Sequence, residues 1–327
     1  NKTNPIDVVM AALEMQQYMN HLKEKAGVKW GIRIGIHTGP IIAGVVGSKK
    51  YSYDIWGDTV NIASRMESSG EMEQINISDF TFSLVKEFFD CRYRGRIPVK
   101  YKGEIDMFFV KGIKTELSVD GKGKEPNMKF NIKLQCIRYF DLEELILTKL
   151  EKGLPKNLYY HNVKHTIDVI NQVEIIGKEE NVTDEEMLLL KTAALMHDAG
   201  FLLGYDDHEI LSMKMAREIL PDFHYTEDQV DIVCDLININ KMPPKPTNHL
   251  EEIICDADLD YLGRGDFIPV SQNLFRELFE HKKVRSIDEW NRMQLKFIES
   301  HHYFTETAKN QREVNKRIQL EELRKMI

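Results

Sequence analysis

The sequence has few cysteines and no long apolar run. The first feature argues against a protein held together by disulfide bonds, and the second argues against a membrane-spanning helix. Its four cysteines lie far apart without a Cys-x-x-Cys pair, so we expect reduced, partly buried thiols and a cytoplasmic location. No apolar run approaches the roughly 20 residues that a membrane helix needs, and no signal peptide is visible. The sequence therefore predicts a chain without a membrane segment.

An excess of basic residues is also missing, since the net charge is -8 and the pI is near 5.8. This balance argues against broad nucleic-acid binding. No internal repeat is evident. The first residue is Asn rather than Met, so we expect a piece of a longer protein. The length of 327 residues predicts two domains, and the 42% hydrophobic content is ordinary for a globular chain.

The first part of the chain mixes helical and strand patterns. Apolar residues recur at helical spacing over 5–25, whereas 30–37 alternates as a strand does. A Gly-Pro turn and a second apolar stretch over 41–46 follow, which predicts a hairpin. The class of this part is therefore α/β or α+β.

A polar stretch rich in Gly and Lys, 120–127, predicts a linker. We place one domain at 1–118, the linker at 119–129 and a second domain at 130–327. Helical patterns dominate the second domain. Thr183 and Glu186 form a capping box ahead of an apolar helix that delivers a His-Asp pair near its end.

A polar face is predicted on the helix over 59–66. Asn61 and Arg65 lie four residues apart, so the same side carries an amide and a guanidinium. Such a face is suited to hold a ribose and to stabilise charge on a phosphate that is being transferred. An Asn and an Arg at this spacing, without further context, usually mark a solvated surface. Asp58 is placed to accept hydrogen bonds from the first-turn amides.

The glycine-rich segment 35–47 and the segment 53–67 carry a longer pattern, GIHTGPIIAGVVG followed by YDIWGDTVNIASRME. Together they resemble the catalytic domain of class III nucleotidyl cyclases, over roughly residues 1–112. The resemblance implies a ferredoxin-like α+β fold, truncated here at its N-terminus.

The same resemblance assigns roles to individual residues. Asn61 and Arg65 match the pair that stabilises the transition state, and Asp54 matches the carboxylate that reads adenine, which favours ATP. Either Lys102 or Lys100 matches the triphosphate-binding lysine, and Lys102 is preferred.

The chain departs from this family in one respect. The two aspartates that hold Mg²⁺ for the cyclase reaction and the base-reading lysine have no counterpart in it. Because such cyclases build shared sites between two domains, the resemblance implies a homodimer through this domain. We expect this chain alone to supply only the Asn/Arg half and to make no cyclic AMP.

Three later stretches offer imidazole or carboxylate to one divalent metal. His161 and His165 lie four apart on a predicted helix, His197 and Asp198 are adjacent, and Asp258 follows. Mixed nitrogen and carboxylate donors suit a borderline or hard cation with a position left open for water. The set therefore predicts hydrolytic chemistry.

The order H…HD…D resembles the HD superfamily of metal-dependent phosphohydrolases, whose fold is an all-α bundle. The YHNxxH opening resembles that of cyclic-nucleotide phosphodiesterases. The resemblance implies that His165, His197, Asp198 and Asp258 hold Mn, Mg, Fe or Zn. Asp256 and Asp260 are rivals of Asp258 for the last position.

Two further histidines stay open between roles. By the resemblance His161 is the proton donor to the leaving oxygen, or else part of an aromatic-lined helix start. His208 binds a second metal or the substrate phosphate, or caps the helix that follows. His301 and His302 are expected to be structural or exposed.

The overall hypothesis is a cyclic-nucleotide signalling protein. It joins an incomplete adenylate-cyclase-type domain to an HD phosphohydrolase that cleaves a cyclic nucleotide or another phosphoester. Two alternatives remain: the HD domain is a metal- and nucleotide-binding sensor that regulates the cyclase, or the cyclase part serves only for dimerisation.

Overall fold

The computed structural model describes residues 3–26, 30–46, 51–99 and 103–325. The chain divides into two compact units, Asn1–Leu134 and Gln135–Ile327, and the division falls within the helix Met128–Gly153. Before that helix, the stretch predicted as a linker includes a short 3-10 turn, Val119–Gly121, and an antiparallel bridge between Ser118 and Pro126.

The first unit combines strands and helices, as predicted. Its elements in chain order are α1 (Asn4–Ala26), β1 (Ile34–Ile36), β2 (Ile42–Val46), β3 (Ser52–Trp56), α2 (Asp58–Ser68), β4 (Ile75–Ser78), α3 (Asp79–Val85), β5 (Phe89–Val99) and β6 (Gly103–Ile113), and the helix that crosses the division is α4 (Met128–Gly153). Four strands form a sheet in the order β1-β4-β6-β5, in which β1 and β4 are parallel and the other pairs are antiparallel.

The hairpin predicted between 30–37 and 41–46 is wrong. Only Ile34–Ile36 forms the first strand, and β1 pairs with β4, whereas β2 pairs with β3 in a separate antiparallel ribbon. The Gly-Pro turn does not join paired strands, because the Pro40 carbonyl instead accepts a hydrogen bond from the Thr59 hydroxyl at 2.6 Å. Long-range pairing thus overrides the local turn signal.

Helix α2 packs closely on the sheet, and this sets the direction of its polar face. A Cβ added at Gly35 of β1 would lie 2.0 Å from the Glu67 backbone nitrogen, so only glycine permits this approach. Ile62 and Met66 are buried beneath the helix. The expected cap at Asp58 is shifted, since Gly57 occupies the N-cap and Asp58 is the first helical residue.

The second unit is helical throughout its described part, which confirms the predicted all-α bundle. After α4 it contains α5 (Val163–Glu179), α6 (Asp184–Met196), α7 (His208–Ile219), α8 (Glu227–Asn238), α9 (His249–Asp258), α10 (Phe267–Glu280), α11 (Ile287–Ser300) and α12 (Glu306–Lys325). None of the helices described in either unit is long and apolar enough to cross a bilayer. The four cysteines are unpaired, and two of them are buried.

Helix α6 lies at the centre of this bundle. The predicted capping box is present at its start: the Thr183 hydroxyl accepts from the Glu186 amide, and the Glu186 carboxylate accepts from the Thr183 amide. Nearly every residue from Leu188 to Met196 is buried, which fixes the helix on all sides. The chain leaves this rigid helix at His197.

Candidate metal centre and its cavity

Four side chains predicted as metal ligands converge from three segments of the second unit. His165 lies in the first turn of α5, His197 is the C-cap of α6 and is followed by Asp198, and Asp258 is the last residue of α9. The turn after α6 is anchored to α7, because the Ser212 hydroxyl donates to the His197 carbonyl at 2.7 Å and accepts from the Gly200 amide at 2.8 Å.

The ligand atoms lie at separations suited to a shared cation. The Nε2 atom of His165 is 3.1 Å from Asp258 Oδ1, 3.3 Å from His197 Nε2 and 3.5 Å from Asp198 Oδ2. His197 Nε2 is 3.2 Å from the same Asp198 oxygen. Neighbouring ligands of an ion with bonds of about 2.0–2.2 Å stand roughly 3–4 Å apart. Among the described residues, His165, His197 and Asp258 offer atoms that all lie within 4.8 Å of one another.

The donor chemistry also fits a divalent cation. Asp198 Oδ2 is buried and accepts no hydrogen bond from the described part of the chain. An ionised carboxylate oxygen left in that position is costly unless a positive charge compensates it. The imidazoles at 3.2 and 3.5 Å supply the other ligands of such a charge.

The pKa values of His197 and Asp198 also indicate that this site stabilises positive charge. Burial alone would lower the pKa of His197, but the negative charges of Asp198 and Asp258 outweigh it and raise this pKa to about 9. The pKa of Asp198 falls well below its usual range, since the neighbouring histidines outweigh its burial. A cation that binds here displaces the imidazole proton, because only the neutral ring offers a lone pair.

The rivals of Asp258 have other partners. Asp256 is fully buried and accepts from the backbone amides of Phe304 and Thr305 and from the Thr305 hydroxyl. Asp260 pairs with Arg312 through the arginine Nε and Nη2. Successive acids around the end of α9 point in different directions, so the structure brings Asp258 alone of the three to the two histidines.

His161 contacts a carboxylate that the sequence analysis missed. Its Nδ1 atom bonds to Glu277 Oε1, and the backbone amides of Tyr160 and His161 donate to Glu277 Oε2 at 2.9 and 3.2 Å. Although burial opposes it, the negative charges of Asp198 and Glu277 raise the pKa of His161. Glu277 lies 116 residues away along the chain. The one signal in the sequence that could have identified Glu277 is its spacing: it lies three residues after Leu274, so an acid falls on the apolar side of α10.

His208 opens α7, and the cap position belongs to Asp207. The His208 ring stacks on Phe201 with centroids 4.1 Å apart, and its Nε2 is 3.7 Å from Asp198 Oδ1. The structure therefore places His208 beside the candidate metal centre.

A cavity of about 310 Å³ adjoins these side chains. One wall carries His161, His197, Asp198, His208 and Asp258, and the other is largely apolar. The apolar wall includes Met242, Leu274, Trp290, Met293 and Phe297. A volume of this order matches the lower range of small-molecule sites.

In the first unit, the predicted cyclase residues lie on the surface. Asn61 and Arg65 occupy the exposed side of α2, and Arg65 Nη1 donates to the Pro98 carbonyl at 3.3 Å. Asp54 is exposed on β3, where its side chain accepts from the Ile55 amide. Lys100 and Lys102 lie outside the described residues.

Comparison with known proteins assigns a family to each region. Residues 2–112 match the family model for the adenylate and guanylate cyclase catalytic domain, and residues 162–260 match the model for the HD domain. The chain joins a cyclase-type domain to an HD domain. Both resemblances inferred from the sequence are thereby confirmed.

This chain spans only part of the length of the proteins that its cyclase-type domain matches. An adenylate cyclase of Mycobacterium tuberculosis is 41% identical over 116 residues, or 35% of this chain, and the chain spans 26% of that protein. The crystal structure of the adenylyl cyclase CyaB from P. aeruginosa is 32% identical, with a TM-score of 0.31, over 33% of this chain and 59% of that one.

The HD domain is also similar to a solved structure. The crystal structure of a predicted HD superfamily hydrolase from an uncultured Thermotogales bacterium is 19% identical to this chain, with a TM-score of 0.40. The match covers 56% of this chain and 90% of that one.

Proposed function

We propose that the HD domain hydrolyses a nucleotide phosphoester. The observation that carries this proposal is the convergence of His165, His197, Asp198 and Asp258, from three separate segments, beside a cavity large enough for a small ligand. A divalent cation held by these four side chains would polarise a phosphate oxygen and make water a usable nucleophile near neutral pH.

His161 is suited to protonate the leaving oxygen. Glu277 binds the Nδ1 side of the ring, which leaves the Nε2 side for the substrate in the cavity that His161 lines. The elevated pKa of His161 keeps a proton on the ring that a leaving group can take. Because Glu277 also accepts from two backbone amides, the carboxylate is fixed before substrate binds.

The apolar wall supports a nucleotide rather than a simple phosphoester. Trp290 and Phe297 present aromatic surface to the same cavity that the metal centre adjoins. Gln294 is buried there too, and its amide nitrogen contacts the Ser271 hydroxyl, which also accepts from Trp290 Nε1 at 3.2 Å. Aromatic faces with a fixed amide among them suit a heterocyclic base.

Metal analysis tests the ligand set. Purified wild-type protein should retain a divalent metal, and His197→Ala and Asp258→Ala should lose it because each removes a ligand. His302→Ala is the matched control, since this histidine is exposed outside the centre. Equal metal content in all four proteins would remove the assignment.

Activity on a panel of substrates tests the reaction. With Mn²⁺ added, wild-type protein should release product from at least one cyclic or linear nucleotide, and His161→Ala should lower kcat by about 100-fold or more. Phe297→Ala should raise KM for that nucleotide yet change hydrolysis of an alkyl phosphodiester little, because such an ester carries neither a base nor another aromatic ring. Tight nucleotide binding without any product would assign the HD domain a sensor role instead.

For the cyclase-type domain, we propose that Asn61 and Arg65 act on ATP in a site shared with a second cyclase-type domain. Their exposure on one side of α2 is consistent with a shared site. Mixing this chain with a cyclase domain that carries the two metal-binding aspartates but lacks its own Asn/Arg pair should restore cyclic AMP formation with Mg²⁺. The variant Arg65→Ala should not restore it.

A further inference from the structure

We infer that Glu209 and Asn240 form a subsite that accepts hydrogen bonds from a ribose hydroxyl, so that the HD domain selects ribonucleotides over deoxynucleotides. The inference rests on the proposed function, because it assigns the sugar of the nucleotide whose phosphate would bind at the metal centre. Both residues line the cavity beside that centre. Neither has a role in the proposed metal binding or proton transfer.

Helices α7 and α8 bring the two acceptors to the same corner of the cavity. Arg217 of α7 donates to Asp231 of α8 at 2.6 Å, and Cys234 of α8 contacts the Met213 carbonyl of α7 at 3.7 Å. Earlier residues of α7 therefore meet later residues of α8, as in two antiparallel helices. The first turn of α7, which carries Glu209, thus lies beside the segment that follows α8.

The Glu209 carboxylate has no hydrogen-bond donor in the described part of the chain. Its Oε2 atom lies 3.6 Å from His208 Nδ1, which is beyond hydrogen-bond distance. The side chain is 16% exposed, and no described residue in the lining of the cavity is a lysine or an arginine. A largely buried carboxylate without a donor is unfavourable, so a ligand that donates to it gains free energy.

The side-chain amide of Asn240 is oriented with its oxygen available as an acceptor. Its Nδ2 atom contacts the Leu236 carbonyl at 3.5 Å, and a carbonyl can only accept, so the nitrogen must face it. The Oδ1 atom is buried and accepts no hydrogen bond from the described residues. Because Asn240 lines the cavity, a donor on a ligand there can satisfy this oxygen once the side chain turns toward it.

The position of this corner relative to the metal centre suits a sugar. His208 Nε2 is 3.7 Å from Asp198 Oδ1, and the other nitrogen of the same ring is 3.6 Å from Glu209. One imidazole thus separates the carboxylate from the metal centre, much as part of the sugar separates a phosphate from the ribose hydroxyls. A carboxylate is a common acceptor for a ribose hydroxyl in nucleotide sites. The base has a separate wall, because Trp290 and Phe297 belong to α11.

Comparison of a ribonucleotide with its deoxy forms tests the inference. We use the 2′-deoxy form, and the 3′-deoxy form where the 3′ oxygen is not esterified. With Mn²⁺ added, wild-type protein should cleave the ribonucleotide with a kcat/KM about 10- to 100-fold above that of at least one deoxy form, because that form leaves an acceptor without a donor.

Glu209→Ala and Asn240→Ala should each remove most of this preference, by raising KM for the ribonucleotide more than for the deoxy form. Glu218→Ala, at an exposed position of α7, and Asn238→Ala, at the exposed end of α8, are the matched controls and should keep the preference. If Glu209→Ala fails to fold, as circular dichroism would reveal, Glu209→Gln takes its place. That variant keeps one carbonyl acceptor and should retain part of the preference.

The outcomes separate this inference from the proposed function. Equal cleavage of both forms by wild type, or an equal loss on both forms in the variants, would overturn the inference while the hydrolase proposal stands. If the variants instead lose discrimination against a base analogue without its exocyclic amine, the corner binds the base and the sugar assignment is wrong.

Binding decides the inference if no nucleotide is cleaved. The hydrolase proposal then fails, and calorimetric Kd values of Mn²⁺-loaded protein for the same ribose and deoxy pair replace the kinetic comparison. A tighter Kd for the ribonucleotide that Glu209→Ala and Asn240→Ala abolish would support the subsite. The absence of both cleavage and binding would overturn both proposals.

Discussion

At the scale of single residues, the candidate site depends on partners that hold each imidazole in one orientation. Glu277 is the clearest case: it is fully buried, binds His161 and accepts from two backbone amides. A buried carboxylate without such partners would be strongly destabilising. Glu277 is thus a positioning residue, since it acts on the substrate only through His161.

The variant Glu277→Gln should lower kcat by about 10- to 100-fold, because the neutral amide holds the imidazole less firmly. KM and metal content should change little, since neither the cavity walls nor the metal ligands are altered. Steady-state kinetics and metal analysis on the same preparation would check this.

Glu280→Gln is the matched control, one turn further along α10, where Glu280 accepts from Tyr159 at an exposed position. An equal loss of kcat in both variants would contradict a specific role for Glu277.

At the scale of elements, the end of α9 shows how a helix distributes neighbouring acids. Asp256 anchors the segment between α11 and α12, Asp258 joins the metal centre and Asp260 pairs with α12. Asp256 and Asp258 lie two positions apart, so their side chains diverge by about 200° around the helix, whereas Asp260 lies in the turn beyond the end of α9. The connection between α11 and α12 is itself tightly packed, and it contains a buried histidine.

Unfolding should become easier in acid because of this histidine, His301. Burial, followed by the positive charge of Lys316 and a smaller effect of His302, lowers the pKa of His301 to about 3, although the charge of Glu313 opposes this shift. The Tyr303 ring packs against the imidazole. The unfolded chain, with a histidine pKa near 6.5, therefore binds more protons between these values. Stability that is present above about pH 6.5 is lost as the pH falls toward 3, by up to about 1.4 kcal/mol per pH unit.

Thermal or urea unfolding of wild type and His301→Gln from pH 7 to 4.5 would measure this contribution. The variant should show a shallower decline than wild type, because glutamine does not titrate. Parallel declines in the two proteins would mean that His301 has no part in the pH dependence.

At the scale of the whole molecule, the first unit leaves apolar side chains exposed on a ribbon of two strands. The β2–β3 ribbon of the first unit pairs Val45 with Tyr53, and these side chains are 65% and 71% exposed. Exposed apolar patches of this kind mark sites of association. We therefore predict that a homodimer of this chain, which the cyclase resemblance implies, would form through the ribbon.

The substitutions Val45→Glu and Tyr53→Glu should each shift the chain from dimer to monomer, because a charge in a buried interface is unfavourable. Light scattering coupled to size-exclusion chromatography over a range of concentrations would detect the shift. Val314→Glu on α12 is the matched control, since Val314 is 69% exposed outside the ribbon. A wild-type chain that stays monomeric at every concentration would contradict the prediction.

Much of this protein follows from the sequence alone. The helical periodicity, the capping box at Thr183 and the change from mixed to helical patterns established two regions of the correct class. These features are local, because they depend on residues a few positions apart. The conformational preferences of such residues are largely independent of the rest of the fold.

Other features were decided only by the tertiary structure. The strand pairing of β1 with β4 overrode a local hairpin signal, and Glu277 reached His161 across 116 residues. The choice of Asp258 over Asp256 and Asp260 depended on which side of one helix end faces α5 and α6. Sequence patterns supply the residue types, whereas contacts between distant segments determine which of them meet, because that depends on how the elements pack.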